Sequence, residues 1–294
     1  MTHRLLLVHA HPDDETIGTG ITMAKYADQG VHVALVTCTL GEEGEVVVDD
    51  LSHLEATGGP ELGHHRAQEL ADAMAALGVA DFRQLGGPGR FRDSGMVGTE
   101  PNLRPDSFWQ SDLLIAATEL VSVIREVQPQ VVVTYDDFGG YGHPDHIQAH
   151  RVTHYAVALA QSSSFRADLG PAWTVSKVYW TAMPRSIMRA SILALREQDS
   201  SSPFAQMDPD DIPFACDDAL ITTMVSGPEY LPVKMAAMRA HATQISVDGG
   251  LFALADGVGA QAFSNEYFRL AQGSLGPDRD DLGLETDLFS GIAP

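Results

Sequence analysis

Two short segments of the sequence combine histidine with carboxylate side chains. They are residues 9–15 (HAHPDDE) and residues 142–146 (GHPDH). Imidazole and carboxylate together suit zinc or a similar first-row divalent ion, and a catalytic zinc site has three protein ligands and an exchangeable water. Because Asp13 and Asp14 are adjacent in the chain, one carboxylate can bind the ion while the other faces the water. These residue types therefore predict metal-assisted hydrolysis.

The elements that must position these segments alternate along the first half of the chain. Short apolar runs predict strands at 4–10, 31–39, 82–85 and 130–135. Between them, helical patterns cover 16–29, 63–77 and 111–127. This alternation predicts an α/β fold with a doubly wound, mostly parallel, Rossmann-like sheet and right-handed crossovers.

Both histidine–carboxylate segments follow predicted strands, at the carboxyl edge of the sheet. In doubly wound sheets the first strand and the first strand after the order reverses are neighbours, and a ligand crevice opens between their ends. Two long connections, 40–62 and 86–110, leave the same edge, where long loops usually shape a pocket. We therefore expect the two segments to meet at one site.

The second half of the sequence is less regular. Further patterns predict a helix at 144–161, a strand at 174–182 and a helix at 229–243, whereas 199–218 and the tail from residue 276 have the composition of solvated or loosely ordered chain. No repeat or low-complexity tract separates two domains. We expect one domain over 1–294, with a Rossmann-like core at 1–185 and a C-terminal elaboration at 186–294.

The composition excludes several classes of function. The chain has 40 acidic and 18 basic residues and a formal net charge of −22, so nucleic acid and membrane surfaces are unfavourable partners. No stretch approaches the roughly 18 apolar residues of a membrane span. With only Cys38 and Cys216, widely separated in the sequence, a disulfide framework is not expected. These features predict a cytoplasmic protein that acts on a small molecule.

Other histidines offer alternative ligands. His146 and His150 could form a metal-binding pair on one helix, but His150 and His154 lie one and two turns below the mouth of the crevice, which favours hydrogen-bonded polar positions. His9 shares a strand face with His11 and could be a ligand, although packing or support is favoured. Gly18 and Gly20 follow a strand, but the sequence lacks the dinucleotide fingerprint.

The same motifs resemble those of the LmbE-like metal-dependent N-deacetylases of amino sugars. The resemblance extends through residues 36–46 (VTCTLGEEGEV), 86–96 (GGPGRFRDSGM) and 131–146 (VVVTYDDFGGYGHPDH), which are similar to the mycothiol-pathway branch. That branch removes acetate from N-acetylglucosaminyl-inositol. The similarity covers residues 3–185 densely and the remainder more loosely, and it implies a zinc-dependent N-deacetylase with an amino-sugar substrate.

The resemblance also implies a role for each matching residue. It implies that His11, Asp14 and His146 bind one Zn²⁺ ion and that Asp13 is the general base. Fe²⁺ accepts the same ligands as Zn²⁺ and is the alternative metal. The remaining implied catalytic residues are His143, which stabilises or protonates the tetrahedral species, Asp145, which orients His143, and Tyr141, which polarises the carbonyl. The implied sugar contacts are Glu45, Arg66 and Asp93.

Three alternatives accompany these expectations. The sister amidase of mycothiol S-conjugates shares the metal motif, although residues 86–96 favour the deacetylase. A catalytically silent metal- or sugar-binding protein is disfavoured because the base, the ligands and the auxiliary histidine occur together. Finally, Arg66 and Asp93 could pair with each other to brace the loops instead of binding sugar.

Overall fold

The computed structural model describes residues 2–55, 59–198, 203–246 and 260–293. Its strands are β1 (Arg4–His9), β2 (His32–Thr37), β3 (Asp81–Gln84), β4 (Val131–Thr134), β5 (Lys177–Ala182), β6 (Thr223–Ser226) and β7 (Asn265–Gln272). Its α-helices are α1 (Asp14–Asp28), α2 (Glu61–Leu77), α3 (Leu113–Val127), α4 (Gly139–Gly142), α5 (Pro144–Ala160), α6 (Arg185–Gln198), α7 (Pro203–Gln206), α8 (Leu231–Ala240) and α9 (Ala260–Ser264). Short 3-10 turns cover Asp49–Leu54, Glu100–Leu103, Phe108–Gln110, Ala167–Leu169, Asp218–Leu220 and Pro228–Tyr230.

One sheet contains all of these strands, in the order β3-β2-β1-β4-β5-β7-β6. The pairs from β3 through β5 are parallel, and β7 pairs antiparallel with both β5 and β6. The strand order reverses between β1 and β4, so the prediction of a doubly wound, mostly parallel sheet is confirmed. The antiparallel edge was not predicted, because β7 carries Glu266 at a buried position and so lacks a clean apolar alternation.

The sheet is covered on both faces, as a parallel sheet requires. Successive side chains of a strand point to opposite faces, so Leu6 of β1 packs in the layer that contains α3 and α5. Leu5 and Leu7 face the opposite layer, which contains α1, α2 and α8. All three leucines are fully buried. The burial of β1 on both faces places its carboxyl end, where the first histidine–carboxylate segment begins, at a rigid point of the fold.

The C-terminal tail is ordered against the sheet, so the prediction of a loose segment from residue 276 was wrong. Leu288 and Phe289 are buried in the layer with α1 and α2. Glu285 is completely buried and accepts a hydrogen bond from Lys177 Nζ at 2.6 Å and another from the Tyr179 hydroxyl. A few anchoring side chains therefore order a segment whose average composition is polar.

The segment predicted as a solvated connection, 199–218, also differs from the prediction where it is described. Residues 199–202 lie outside the described residues. Ile212 and Ala215 pack with Met188 and Ile192 of α6 in a small separate apolar cluster. The segment therefore forms part of the packed C-terminal region. The boundary between a core and an elaboration at residue 185 stays a prediction.

None of the helices in the described part of the chain has both the length and the apolar character that crossing a bilayer requires.

Helix α5 carries two histidines that pack against the sheet away from the histidine–carboxylate segments. His150 Nδ1 donates to the Tyr135 carbonyl at 3.0 Å, and Trp180 Nε1 of β5 donates to His154 Nε2 at 2.8 Å. The two imidazole rings lie 4.6 Å apart between centroids. The favoured interpretation of His150 and His154 as hydrogen-bonded polar positions is confirmed.

The half-buried imidazole of His154 makes a testable contribution to stability. Burial and the nearby His150 lower the pKa of His154 to about 4. Because an unfolded histidine has a pKa of about 6.5, the unfolded chain binds more protons between these values and stability falls as the pH falls through this window. We expect His154→Gln to flatten the decline of Tm between pH 7 and pH 5, measured by thermal unfolding. His64→Gln, an exposed imidazole, is the control, and an unaltered slope in His154→Gln would contradict the expectation.

Candidate metal centre and active site

The first histidine–carboxylate segment turns sharply from β1 into α1. Asp13, the residue before α1, has φ of 120°, which is rare for a residue other than glycine. The Asp13 carbonyl accepts hydrogen bonds from the amides of Thr16 and Ile17, both at 3.0 Å, and its own amide donates to Glu15 Oε2 at 2.8 Å. Strained backbone persists only when its surroundings over-determine it, and such positions cluster at functional sites.

The second segment meets the first one at Asp14. Asp14 Oδ2 lies 3.3 Å from His11 Nδ1 and 3.4 Å from His146 Nε2. His146 Nδ1 donates to the Gly139 carbonyl at 3.2 Å, so the lone pair of the neutral ring is on Nε2. That Nε2 is buried and has no hydrogen-bond partner among the described residues. A buried, unpaired imidazole lone pair beside a carboxylate fits a metal cation.

The electrostatics around His11 also favour a positive charge at this point. His11 Nε2 lies 3.3 Å from Asp145 Oδ2 and 3.5 Å from Asp93 Oδ1. Burial alone would lower the pKa of His11, but the carboxylates of Asp93, Asp14 and Asp145 raise it well above its usual range. Both ring nitrogens therefore face carboxylates, Nδ1 that of Asp14 and Nε2 those of Asp145 and Asp93.

Two other sets of possible metal-binding donors lie close together. One nitrogen each of His11, His143 and His146 lie within 4.8 Å of one another, as do ligand atoms of His11, Asp93 and Asp145. His143 Nδ1, however, accepts a hydrogen bond from the Asp145 amide at 3.1 Å, which places the proton of the neutral ring on Nε2. His143 therefore presents a donor and not a free lone pair.

Asp145 is completely buried at the start of α5. Its carboxylate accepts hydrogen bonds from the Ser94 amide at 2.9 Å and from the Ser94 hydroxyl, and it faces His11. Asp145 contacts His143 through its backbone amide, which donates to His143 Nδ1, whereas its carboxylate faces Ser94 and His11. A role of Asp145 in orienting His143 stays a prediction.

Asp13 shares its surroundings with Arg66 of α2. Arg66 Nη2 lies 3.2 Å from Asp13 Oδ2, Nη1 donates to the Gly41 carbonyl at 2.7 Å, and a further hydrogen bond reaches the Pro12 carbonyl. Burial raises the pKa of Asp13 to about 6, although Arg66 opposes the effect. Arg66 is 3% exposed and pairs with Asp13, so the alternative in which it pairs with Asp93 was wrong.

The other residues implied by the resemblance lie at different depths. Asp93 is buried, and its carboxylate accepts from the Gly95 amide at 2.9 Å and the Glu43 amide at 3.2 Å. Tyr141 is 48% exposed, and its ring centroid lies 4.9 Å from that of His146. Glu45 is exposed on the loop after β2. Asp93 and Tyr141 are thus adjacent to the histidine cluster, and Glu45 lies at the surface.

His9 is hydrogen-bonded through both ring nitrogens. Its Nδ1 lies 3.2 Å from the Tyr135 hydroxyl, and its Nε2 lies 3.1 Å from the Thr19 hydroxyl. Neither nitrogen is free for a metal ion, so the favoured interpretation of His9 as a supporting residue is confirmed.

Sequence reasoning missed a buried ion pair behind Asp13. Glu15 Oε1 lies 2.8 Å from His241 Nε2, and both side chains are completely buried. Against the effect of burial, their mutual attraction lowers the pKa of Glu15 and raises that of His241. Glu15 could have been noticed as a third acid in a strand-to-helix turn. His241 follows α8 and has no local motif, so no signal near it indicated this contact.

Comparisons with known proteins identify the family and several relatives of this chain. The profile of the family PIG-L: GlcNAc-PI de-N-acetylase matches residues 6–157. A protein of Kribbella flavida named 1D-myo-inositol 2-acetamido-2-deoxy-alpha-D-glucopyranoside deacetylase is 56% identical over 298 residues, covering 98% of both chains. A protein of Geodermatophilus obscurus with the same name is 56% identical over 292 residues, covering 99% of this chain and 98% of its own.

A solved structure supports the fold. N,N'-diacetylchitobiose deacetylase from Pyrococcus horikoshii has a TM-score of 0.61 to this structure at 22% identity, over 91% of this chain and 83% of that chain. At this identity the likeness concerns the fold alone. The family profile and the near full-length identity show more than the fold: this chain belongs to the GlcNAc-PI de-N-acetylase (PIG-L) family, and its resemblance to the LmbE-like deacetylases is confirmed.

Proposed function

We propose that this protein hydrolyses the N-acetyl group of 1D-myo-inositol 2-acetamido-2-deoxy-α-D-glucopyranoside, which is N-acetylglucosaminyl-inositol, and releases acetate and the free amine. The substrate is inferred from the names of the relatives that are 56% identical over nearly the whole chain. The observation that carries the chemistry is the cluster in which Asp14 Oδ2 lies within 3.4 Å of nitrogens of the buried His11 and His146. Asp13 directly precedes Asp14, whose charge helps to raise the pKa of the Asp13 carboxyl group. The proposed catalytic unit is a single domain that comprises residues 1–294.

The proposed metal ligands are His11, Asp14 and His146. The proposed ion is Zn²⁺, and Fe²⁺ is the alternative because it would accept the same donors. The support is the unpaired His146 Nε2 and the Asp14 oxygen close to both imidazoles. A divalent ion bound there would supply a Lewis acid that polarises the amide carbonyl and acidifies a water molecule.

Asp13 is the proposed general base. Its pKa of about 6 leaves it mostly ionised at neutral pH yet basic enough to accept a proton from the attacking water. The same carboxyl group, once protonated, is the acid from which the departing amine takes its proton. Arg66 positions this carboxylate, and the Glu15–His241 pair holds its strained backbone through the Asp13 amide.

His143 and Tyr141 are the proposed stabilisers of the tetrahedral oxyanion. Burial, with the neighbouring His11 and His146, lowers the pKa of His143 to about 3, so the ring stays neutral and its Nε2–H can donate. Partial desolvation of the half-exposed Tyr141, followed by the nearby Asp14 carboxylate, raises the pKa of Tyr141 and keeps its hydroxyl protonated. Preorganised donors of this kind stabilise charge only as it develops in the transition state.

The sugar is proposed to bind against the polar loops that follow β2 and β3. Asp93 lies beside His11 and Glu45 lies at the exposed rim, where carboxylates can accept hydrogen bonds from hydroxyl groups. Because Arg66 is buried against Asp13, its effect on the sugar is indirect.

The proposed ligand set is tested by metal content. Removing a residue that hydrogen-bonds a metal ligand usually lowers metal affinity roughly 10–100-fold. Because His146 is itself a proposed ligand, we expect His146→Ala to lower metal affinity by more than this. His150→Gln, on the same helix, is the control and should keep its metal, because His150 is hydrogen-bonded to the Tyr135 carbonyl. Elemental analysis after reconstitution with Zn²⁺ measures the occupancy. Full occupancy in His146→Ala would remove this residue from the ligand set.

The proposed base is tested by separating metal binding from turnover. Asp13→Asn should retain the ion but lose on the order of 100-fold or more in kcat, together with the acidic limb of the pH–rate profile. Asp137→Asn changes an exposed carboxylate of the loop after β4 and serves as the control. A metal-loaded Asp13→Asn protein with wild-type turnover would show that another group accepts the proton.

The proposed substrate is tested by an amine-release assay on three amides. We expect kcat/KM for N-acetylglucosaminyl-inositol to exceed that for free N-acetylglucosamine at least about tenfold, because a substrate without inositol hydroxyls leaves polar groups of the site unpaired. A mycothiol S-conjugate is the third substrate. Glu45→Ala should mainly raise KM for the inositol-bearing sugar. If the S-conjugate has the highest kcat/KM, the deacetylase proposal fails in favour of the amidase.

A further inference from the structure

A cavity of about 500 Å³ opens beside the proposed metal ligands. Asp14, His146 and Tyr141 belong to its lining. The second half of the chain supplies much of the rest, which is largely apolar and includes Ile187 and Met188 of α6, although Lys234, Glu266 and Arg269 also line the cavity. This volume is typical of a small-molecule site, and the methyl group of an acetamide would occupy only a small part of it.

The polarity of the surroundings indicates which part of a substrate enters this cavity. Asp13, Glu45 and Asp93 lie outside its lining, whereas Asp14 and His146 belong to both the cavity and the proposed metal site. An amide has two ends, one on each side of its carbonyl. If the sugar hydroxyls bind the carboxylate-rich loops, as the proposed function requires, the acyl end points into the apolar cavity.

Two of the charged residues that line the cavity, Lys234 and Glu266, are paired with each other. Lys234 Nζ lies 2.7 Å from Glu266 Oε1, and both side chains are nearly fully buried. The two Glu266 oxygens also accept from the amides of Ile21 at 2.9 Å and Thr22 at 2.8 Å in α1. Lys234 is neutralised in this way, and the Arg269 guanidinium lies over the Trp180 ring, 5.2 Å from its centroid. Because most of the remaining lining is apolar, the cavity suits an apolar occupant.

We propose that this cavity is an acyl-binding subsite, and that the protein also removes apolar N-acyl groups of about four to eight carbons from the same amino sugar. The proposal rests on the proposed function, because it uses the same catalytic groups. Water adds across the amide: the C–N bond breaks, a C–O bond forms, the acyl chain leaves as a carboxylate and the amine gains a proton. No other reactant is needed.

The first test uses the wild-type, metal-loaded protein and the N-acetyl, N-butanoyl and N-hexanoyl derivatives of glucosaminyl-inositol. Each methylene that the cavity buries strengthens binding up to roughly 4-fold, so kcat/KM should rise along the series. A hexanoyl-to-acetyl ratio of kcat/KM above one supports the subsite, and a ratio of one or below overturns it. If none of the three amides is hydrolysed, the proposed function itself fails.

The second test narrows the cavity from α6. Ile187→Trp places a larger side chain in the lining and should lower the hexanoyl-to-acetyl ratio at least about tenfold, while acetate release from the acetyl substrate is retained. Leu193→Trp is the matched control, because Leu193 lies on the same helix, is 38% exposed and is outside the lining. An unchanged ratio in a folded Ile187→Trp protein would overturn the proposal.

A third test measures product inhibition of the wild-type protein and needs no variant. Hexanoate is the expected product of the longer substrate, so it should inhibit the wild-type protein at a concentration at least about tenfold lower than acetate does. Equal inhibition by the two carboxylates would mean that the cavity does not bind the chain.

Discussion

Buried charges govern the construction of this site, because a carboxylate or imidazole removed from water must face an opposite charge or a hydrogen-bond partner. Asp14 lies close to two imidazoles, and Asp13 faces Arg66. Glu15 faces His241, which follows α8 and lies 226 residues later in the chain. The partners come from both halves of the molecule, so the site exists only when α2 and α8 are packed on the same face of the sheet as α1.

The meeting of the two histidine–carboxylate segments could be predicted because it follows from topology alone. Strands β1 and β4 are short apolar runs with strong signals, and the reversal of order between them makes them neighbours. Whatever follows two neighbouring parallel strands must meet at one edge of the sheet. The closeness of Asp14 and His146 therefore required no knowledge of side-chain positions. The contact of the Asp145 carboxylate with Ser94 depends on the direction of one side chain, which the sequence pattern does not specify.

The structural features that could not be predicted have one physical cause. In each of them a polar residue occupies a core position because it pairs with a residue from a distant segment of the chain. Glu266 interrupts the apolar pattern of β7 yet is buried against Lys234. Glu285 makes the tail look solvated yet is buried against Lys177. Local periodicity treats each acid as exposed, and only the partner from a distant segment makes its burial favourable. The same limitation concealed His241.

The two halves of the chain contribute different chemistry around one cluster. The N-terminal half brings the carboxylates, the imidazoles and the polar loops, whose groups are preorganised by backbone amides such as those at Asp145 and Gly95. The C-terminal half brings the apolar wall and neutralises its own buried lysine. Because the proposed reacting groups lie between the two, a change in the C-terminal wall would alter the space available to one end of an amide and leave the proposed catalytic groups in place. Under the proposed function, selectivity for the acyl group could therefore change without any change in the proposed metal ligands.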